Sequence, residues 1–412
     1  MNRFILILTF LFCFVYVNGQ DKQVDRSKIK EDLEEVLNDL SRSYVYLQQK
    51  KVNLDCIREY YGNQIQNIKT EEETVLFFEY LLDEFYDSHL ILNTNRKSSY
   101  RLFSPIYTTF QNGKAFITNS WQIQTENFGG NLIGAEIIKI NGIDFKDAIA
   151  EFPTHCNDKT LPKVREWIAN KLLAGRYNQP RMLTLRLNDQ RLIEFDLDKI
   201  RYKNDSGLLS SKRKDNIGII CINNSLGNND LIEAFDKVLD SLADTKALII
   251  DLRNTADGGN SYVARGIMSR FITEPRPYQK HKTTEKYGNH PAVERTWVEY
   301  VSPRARQYNK PVFILVGRWT GSMGEGLAIG FEGMGRAEIV GTEMERLAGE
   351  MSGFSLKHQN FGYRLSTASL FHINGIPREE YVPKNYVKQR TSEKDETLLY
   401  AFELISKITV HR

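Results

Sequence analysis

The feature that most constrains the fold is a series of short apolar segments in the C-terminal half of the chain, separated by stretches with helical periodicity. Apolar strands are predicted at 217–222, 247–252, 311–317 and 337–341, and helices at 230–242 and 322–331. Strands that are apolar on both sides need cover on both faces, and helices between them supply it. The pattern predicts an α/β core, here placed at 200–412.

The rest of the chain has two other patterns. From residue 29 to 86 apolar residues recur at helical spacing, and Thr70 with Glu73 forms a capping box for one helix. From 90 to 199 the pattern favours strands, and Asn141-Gly142 between two apolar pulses predicts a hairpin. We therefore expect a helical segment at 20–89 and a separate unit at 90–199. The charged stretch 280–299 is interpreted as a long loop or an insertion.

The N-terminus has the pattern of a secretory signal peptide. A basic start precedes an apolar run from Phe4 to Val17, which is too short for a comfortable membrane span. Cleavage is expected after Gly19, so residues 1–19 would be removed and the protein would be periplasmic or extracellular. The alternative is a retained N-terminal anchor. No later run of 18 apolar residues follows, so we expect no membrane span in the mature chain.

Length and charge exclude several classes of protein. A chain of 412 residues suggests two or three domains. Lys and Arg number 55 against 52 Asp and Glu, without a basic block, which disfavours a nucleic-acid partner. No His-Glu-x-x-His motif or Cys/His cluster predicts a metal site. The oligomeric state is left open by the sequence.

Export would permit disulfides, and three cysteines would remain after cleavage. Cys221 lies in an apolar run and is expected to be an inert core residue. Cys56 and Cys156 could pair, but the sequence alone does not show it.

Ser322 is the sharpest candidate for a nucleophile. A predicted buried strand leads into Thr320-Gly-Ser-Met-Gly-Glu325, and a helix follows. Small neighbours leave the hydroxyl accessible, and a helix N-terminus offers free N–H groups for a developing oxyanion. The alternative is that Ser322 only caps the helix. The turn is not Gly-x-Ser-x-Gly, because Thr320 holds the first position, which weakens an α/β-hydrolase interpretation.

A second segment, Asp251-Leu-Arg-Asn-Thr-Ala-Asp-Gly-Gly259, follows another predicted buried strand. Ligands of α/β sheets bind at the carboxyl ends of strands, and glycines there can present backbone N–H groups. The alternative is a plain strand-to-helix turn, which often contains glycine.

Spacing cannot choose the base, because partners of a catalytic serine are neighbours in space rather than in sequence. His89, next to Ser88, lies where a predicted helix stops, and His372 lies in a strand-like stretch. The adjacent acids Glu379 and Glu380 could orient a base or form a solvated turn.

Together these segments resemble the tail-specific proteases, the C-terminal processing and tricorn-core group of S41 serine peptidases. The stretch 134–145 is similar to the hairpin of a PDZ-like domain. Leu248 to Gly259 resembles the family's strand-Asp-Leu-Arg-Asn-x-Gly-Gly segment, and Thr320 to Glu325 resembles its Thr-x-Ser-Ala-x-Glu segment. The fold implied is a crotonase/ClpP-like α/β core with a PDZ-like domain and an N-terminal helical segment.

One departure decides which branch of the family the chain is closer to. The segment 341–350 lacks the Lys of the processing branch, and Arg346 cannot act as a base. The tricorn-like branch uses a Ser-His pair and a late Glu, which Ser88-His89 and Glu379 match, with Glu380 as a rival.

The resemblance implies the following roles. His89 would activate Ser322, and Glu379, through Ser88, would orient His89. Gly258 or Gly259 and Met323 would hold the oxyanion, with no metal or organic cofactor and with peptides as substrate.

Two other functions stay open. One is a non-catalytic protein that binds peptides or apolar ligands on the same scaffold, because the Lys is missing. The other is an esterase of the α/β-hydrolase type that uses Ser322 with His372.

Overall fold

The structure is a computed structural model that describes residues 24–126, 128–204 and 207–410. The predicted signal peptide and its cleavage site after Gly19 lie outside these residues. Within them, no helix is both long enough and apolar enough to cross a membrane.

The helices concentrate at the two ends of the chain and between the strands of the core. In chain order they are α1 Arg26–Ser43, α2 Leu47–Lys50, α3 Leu54–Gln64, α4 Glu71–Asp83, α5 Phe145–Ala150, α6 Pro162–Ala174, α7 Leu231–Ser241, α8 Ser261–Met268, α9 Met323–Gly333 and α10 Glu396–Val410. Short 3-10 turns cover Ile65–Asn67, Leu197–Lys199 and Arg378–Glu380.

The strands form three sheets. In chain order they are β1 Ile91–Leu92, β2 Ile106–Gln111, β3 Lys114–Ser120, β4 Glu136–Ile140, β5 Ile143–Asp144, β6 Met182–Arg186, β7 Leu192–Asp196, β8 Leu209–Lys214, β9 Ile217–Ile222, β10 Ala247–Asp251, β11 Arg276–Glu285, β12 Val293–Val301, β13 Val312–Val316, β14 Glu338–Gly341, β15 Glu350–Ser355, β16 Gly362–Phe371 and β17 Asn385–Tyr386.

The core is a six-stranded sheet in the order β17-β14-β13-β10-β9-β8, parallel except for the antiparallel edge strand β8. Its inner strands β9, β10 and β13 are buried on both faces, whereas the edge strand β8 is mostly exposed. Leu248 and Ile250 of β10 pack into one hydrophobic cluster with α7, α8 and α9, whereas Ala247 and Ile249 pack into another beneath α10. The predicted α/β core is formed as the apolar strands require.

Four loops leave this sheet at the carboxyl ends of parallel strands and therefore meet at one edge. They follow β9, β10, β13 and β14. An isolated bridge between Thr255 and Thr320 joins the second and third loops directly. This edge of the sheet is where a ligand of an α/β fold is expected.

The N-terminal helices do not form a core of their own. Leu33 and Leu37 of α1 and Phe78 of α4 share one buried cluster with Tyr363 and Leu365 of β16. The capping box of Thr70 and Glu73 opens α4 as predicted. The helical segment is therefore packed on the second sheet, which has the order β1-β16-β11-β12 with β15 beside β16.

That second sheet contains the stretch interpreted from sequence as a loop or an insertion. Residues 280–299 mostly belong to β11 and β12, which pair antiparallel, with Arg276 opposite Val301 at one end and Glu285 opposite Val293 at the other. Their outer faces are charged, so the alternation in hydrophobicity is weak. The sequence pattern therefore did not indicate strands here.

The middle unit is a third sheet in the order β2-β3-β4-β6-β7, with β5 beside β4 and helices α5 and α6 against it. The hairpin predicted from Asn141-Gly142 is present, and both turn residues have positive φ, +50° and +82°. The unit meets the core through a stacked pair, Trp121 and Trp319, whose ring centroids lie 5.3 Å apart. Trp319 precedes Ser322 by three residues.

Candidate active site

Ser322 lies between the end of β13 and the start of α9, in a backbone conformation that L-residues rarely adopt. Its φ is +47° and its ψ is −110°. Such strain persists only where the surroundings enforce it, and it concentrates at functional sites. The side chain is half-buried, whereas the flanking Gly321 and Met323 are buried. The hydroxyl is thus held at the surface of the sheet edge.

Two glycines make this placement possible. Gly258 has a φ of +66°, and a Cβ there would collide with the Cβ of Ser322 and would lie 3.1 Å from its Oγ. At Gly321 a Cβ would collide with the Ala256 carbonyl and the carboxyl of Glu345. The loop after β10 therefore lies directly against Ser322.

Of the three backbone N–H groups expected to hold an oxyanion, one already donates a hydrogen bond within the protein. The N–H of Gly258 donates to the carbonyl of Thr255 at 3.0 Å. The N–H groups of Gly259 and Met323 donate to no group among the residues that the structure describes. Met323 is the first residue of α9, where the helix leaves its N–H groups free. Of the three predicted donors, Met323 and Gly259 are the ones still free.

A fully buried carboxylate, Glu325, ties the nucleophile to the loop after β14. Its Oε2 accepts from the N–H of Ser322 at 3.0 Å and from that of Leu347 at 3.2 Å, and its Oε1 accepts from Arg346 N–H at 2.9 Å. Burial raises the pKa of Glu325 to about 7. Its side chain couples the position of Ser322 to the segment 342–349.

His89 lies on the other side of that segment. Its Nδ1 lies 3.0 Å from the carbonyl oxygen of Ala348, which can only accept, so this nitrogen carries the proton. Nε2 is then the basic nitrogen, and it is buried without a hydrogen-bond partner in the described chain. Burial, with the nearby Arg378 guanidinium, lowers the pKa of His89 to about 4. The ring is therefore neutral at physiological pH.

The direct contact expected between His89 and Ser322 is not formed in this structure, since Nε2 has no hydrogen-bond partner. The two residues are linked through one short path. Ser322 binds Glu325, Glu325 binds Leu347, and the next residue, Ala348, binds His89. Catalytic hydrogen bonds are often long without substrate and tighten in the complex.

The other predicted partners of His89 lie elsewhere. Ser88 is exposed, and its Oγ accepts from Trp167 Nε1 at 3.1 Å. Glu379 is near Tyr46, and burial raises the pKa of its carboxyl. Neither contacts the His89 ring, and Glu380 is exposed. The orientation of the ring instead comes from the Ala348 carbonyl, and Asp87 accepts from the backbone N–H of His89 at 2.9 Å.

His372 is not available to Ser322. Its Nε2 lies 3.4 Å from Glu332 near the C-terminal end of α9, and its ring stacks on Tyr381. Ser322 is at the N-terminal end of the same helix, about 15 Å away at 1.5 Å per residue. The arrangement required for an esterase that uses Ser322 with His372 is therefore absent, because one helix separates the two groups.

Several residues of the site were not found from the sequence. Arg378 is buried and donates to the carbonyls of Leu347 and Gly349, which fixes the segment that holds His89. Ala348 acts through its carbonyl, which no side-chain pattern reveals. Asp87, two residues before His89, and Glu325, inside the nucleophile motif, had signals in the sequence that could have found them.

Metal chemistry finds no site in the part of the chain that the structure describes, where no three His, Cys, Asp or Glu side chains converge. The structure shows which cysteines pair, a question that the sequence left open. Cys56 of α3 and Cys156 form a disulfide, and Cys221 is free, with its pKa raised to about 12 by burial.

Solved structures of proteases share this fold. Mature CPAF aligns with a TM-score of 0.62 at 14% identity, over 93% of this chain and 96% of that one. The photosystem II D1 C-terminal processing protease aligns with a TM-score of 0.52 at 13% identity, over 87% and 93% of the two chains. The predicted fold class, an α/β core with a PDZ-like domain and an N-terminal helical segment, is confirmed.

The family match and the shared fold together support a serine-type peptidase. Residues 216–383, which include β9 to β16 and the Ser322 loop, match the family model of peptidase family S41. This part of the chain is therefore similar to peptidase family S41, the family that its motifs resemble. A comparison with curated proteins by sequence gives no match.

Proposed function

We propose that this chain is an exported peptidase that cleaves peptide bonds by acyl transfer through Ser322. The observation that carries the proposal is the strained backbone of Ser322 at the start of α9, packed against Gly258. A hydroxyl that is half-exposed beside free backbone N–H groups is what nucleophilic attack on a carbonyl requires. No metal or organic cofactor takes part in this proposal.

His89 is proposed as the general base. Its Nε2 accepts the proton of the Ser322 hydroxyl as Oγ bonds to the substrate carbonyl carbon, and the carbonyl oxygen becomes an oxyanion held by Met323 and Gly259. The proton then passes to the departing amine nitrogen as the C–N bond breaks. Water, activated by the same nitrogen, cleaves the acyl-enzyme and restores Ser322.

The Ala348 carbonyl takes the orienting role that the resemblance assigned to Glu379 and Ser88. A neutral ring with a proton on Nδ1 presents the lone pair of Nε2, which is the form a general base needs. The low pKa keeps that form populated across the physiological range. Glu379 would act only indirectly, through Arg378 and the segment that Arg378 holds.

The other parts of the chain would serve export and substrate binding. A signal peptide at 1–19 would direct export to the periplasm or the medium. The units 20–89, 90–199 and 200–412 would act as a helical segment, a PDZ-like domain that helps to hold peptide substrates, and the peptidase core. The stack of Trp121 on Trp319 supports communication between a peptide held by the PDZ-like domain and the Ser322 loop.

The test is cleavage of an unfolded protein by the chain lacking residues 1–19. Mass spectrometry should detect new termini with the wild-type chain and none with Ser322→Ala, which removes the hydroxyl without adding bulk. Cleavage that persists in Ser322→Ala, or no cleavage by the wild-type chain at any pH from 5 to 9, would contradict the proposal.

A second function, non-catalytic binding of peptides, is favoured by one observation. The Nε2 of His89 is enclosed and without a partner, so the pair is not assembled in this structure. If the protein only binds peptides, Ser322→Ala should bind labelled peptides as tightly as the wild-type chain, and neither should cleave them.

A further inference from the structure

A groove of about 680 Å³ lies at the carboxyl edge of the core sheet, between the loops that follow β9 and β10. We propose that this groove selects peptides with a cationic side chain, Lys or Arg, next to the scissile bond, and that Asp257 forms an ion pair with that side chain. The inference rests on the proposed peptidase function, because it places the substrate of Ser322 in this groove.

The groove reaches the nucleophile. Its wall includes Gly258 and Gly259, and Gly258 packs against Ser322. The opposite wall comes from the segment that follows β9, which lies so close that a Cβ on Gly259 would collide with the backbone of Leu226. A peptide whose carbonyl carbon reaches Ser322 Oγ must therefore place a neighbouring residue in or beside this groove.

The lining is polar and carries one kind of charge. Asn223, Asn224, Ser225 and Asn228 supply neutral polar groups. Among the residues that the structure describes, Asp257 is the only charged residue in the wall, which holds no described Lys or Arg. An apolar substrate side chain would find few partners there, and an acidic one would meet a carboxylate directly.

Asp257 is held in a fixed position. Its Oδ2 accepts from Asn224 Nδ2 at 2.7 Å, and its own N–H donates to Asn224 Oδ1 at 2.9 Å. The side chain is exposed to solvent and makes no ion pair with a cation in the described chain. A carboxylate that is fixed yet without a counter-ion is suited to receive one from a ligand.

A second carboxyl, that of Glu345, is buried behind the groove. The carboxyl of Glu345 lies against Gly321, and its Oε2 is shielded from solvent without a hydrogen-bond partner among the described residues. Burial, with the charges of Glu325 and Asp257, raises the pKa of Glu345. Arg378, the nearby buried cation, donates to backbone carbonyls of the segment 347–349 and is not part of the groove.

The experiment uses three fluorogenic peptides that are identical except for Lys, norleucine or Glu beside the cleaved bond, at 50 mM salt. For the wild-type chain, kcat/KM for the Lys peptide should exceed that for the norleucine peptide by about fivefold, as about 1 kcal/mol from one ion pair gives. Asp257→Asn keeps the size and an acceptor oxygen but removes the charge, and should reduce this ratio to about one.

Two controls keep the result interpretable. Asp147→Asn, an exposed acid on α5 of the PDZ-like domain, should keep the wild-type ratio. Asp257→Glu should keep a preference for Lys, and 500 mM salt should weaken it, because salt screens an exposed pair. A ratio unchanged in Asp257→Asn, or equal rates for all three peptides, would overturn the inference.

A binding measurement separates failure of this inference from failure of the proposed function. Fluorescence anisotropy with Ser322→Ala should show tighter binding of the Lys peptide, which does not depend on cleavage. If the wild-type chain cleaves nothing but this preference holds, the peptidase proposal fails and the groove inference stands. If all three peptides are cleaved and bound alike, only the groove inference fails.

Discussion

The nucleophile and the proposed base are held by two different kinds of structure. Ser322 is fixed by its own neighbourhood, because a buried parallel strand, a tight turn and a helix N-terminus follow one another within a short stretch of chain. His89 is fixed by contacts remote in sequence, since its Nδ1 binds the carbonyl of a residue 259 positions away. The core alone can build a nucleophile, whereas the base needs the N-terminal helices to dock on the second sheet.

The same contrast applies to stability. The strands around Ser322 are buried on both faces by helices of the core itself. The N-terminal helices that precede His89 pack on β16, and a disulfide links α3 to the PDZ-like domain. We therefore expect changes in the N-terminal helices to remove activity before they unfold the core.

The largest expected effect is on the base. His89→Ala should lower kcat by about 10³-fold or more, the usual cost of losing a catalytic residue that acts with a serine. His372→Ala removes a similarly buried histidine that follows β16 and lies beside the C-terminal end of α9, and it should leave kcat within about threefold. Equal losses in both variants would mean that the effect is structural and that His89 is not the base.

The next largest effect is expected at Glu325, the carboxylate that links Ser322 to the segment 342–349. Glu325→Gln cannot accept from three backbone N–H groups with two carboxylate oxygens, so Ser322 and the segment 342–349 should shift relative to each other. We expect kcat to fall by about 10²-fold with little change in KM, as small misplacements of catalytic groups do. The control is Glu332→Gln on the same helix, and a drop of similar size there would contradict a specific positioning role.

The disulfide should matter for the N-terminal side. Cys56 and Cys156 close a loop with a sequence separation of 100 residues, so Cys56→Ser should destabilise the protein by about 2–4 kcal/mol. Calorimetry should show the loss as a lower melting temperature. Cys221→Ala removes a thiol on β9 and should cost less, within about 1 kcal/mol. An unchanged melting temperature for Cys56→Ser would argue against tethering of the helices by this bond.

The titration of His89 is the most local prediction. Its pKa of about 4 in the folded protein lies below the ordinary value of 6.5. As the pH falls from 6.5 to 4, the unfolded chain binds a proton that the folded chain does not, so this residue lowers stability over that window. Ring-nitrogen NMR, assigned with His89→Ala, should place the midpoint near 4. A midpoint near 6.5 would show that the ring is open to solvent.

The sequence predicted the locally built half of the site better than the remote half. Ser322 and Met323 were singled out because a buried strand, small residues and a helix start are adjacent in the chain, and Gly258 because it follows another buried strand. His89 was one of several candidate histidines and was chosen as base through a resemblance, which also assigned Glu379 to orient it; in the structure its Nδ1 lies against the Ala348 carbonyl. A backbone carbonyl has no side-chain signature, and its position depends on how β14, β15 and Arg378 place a loop.

The same reason explains which parts of the fold were missed. The continuously apolar strands of the core and the Asn141-Gly142 hairpin have strong local patterns and were predicted. Strands β11 and β12 were interpreted as a loop because their outward positions carry charge, and pairing with β16 rather than burial specifies them. The disulfide could not be chosen from sequence, because only the docking of α3 on the PDZ-like domain brings the cysteines together.

The central claim, that His89 activates Ser322, is tested most directly by the rate at which a fluorophosphonate labels the protein. Mass spectrometry should locate one adduct on Ser322 in the wild-type chain. His89→Ala should slow its formation by about 10²-fold or more, because the hydroxyl then has no base. An adduct at another residue, or an unchanged rate in His89→Ala, would contradict the account.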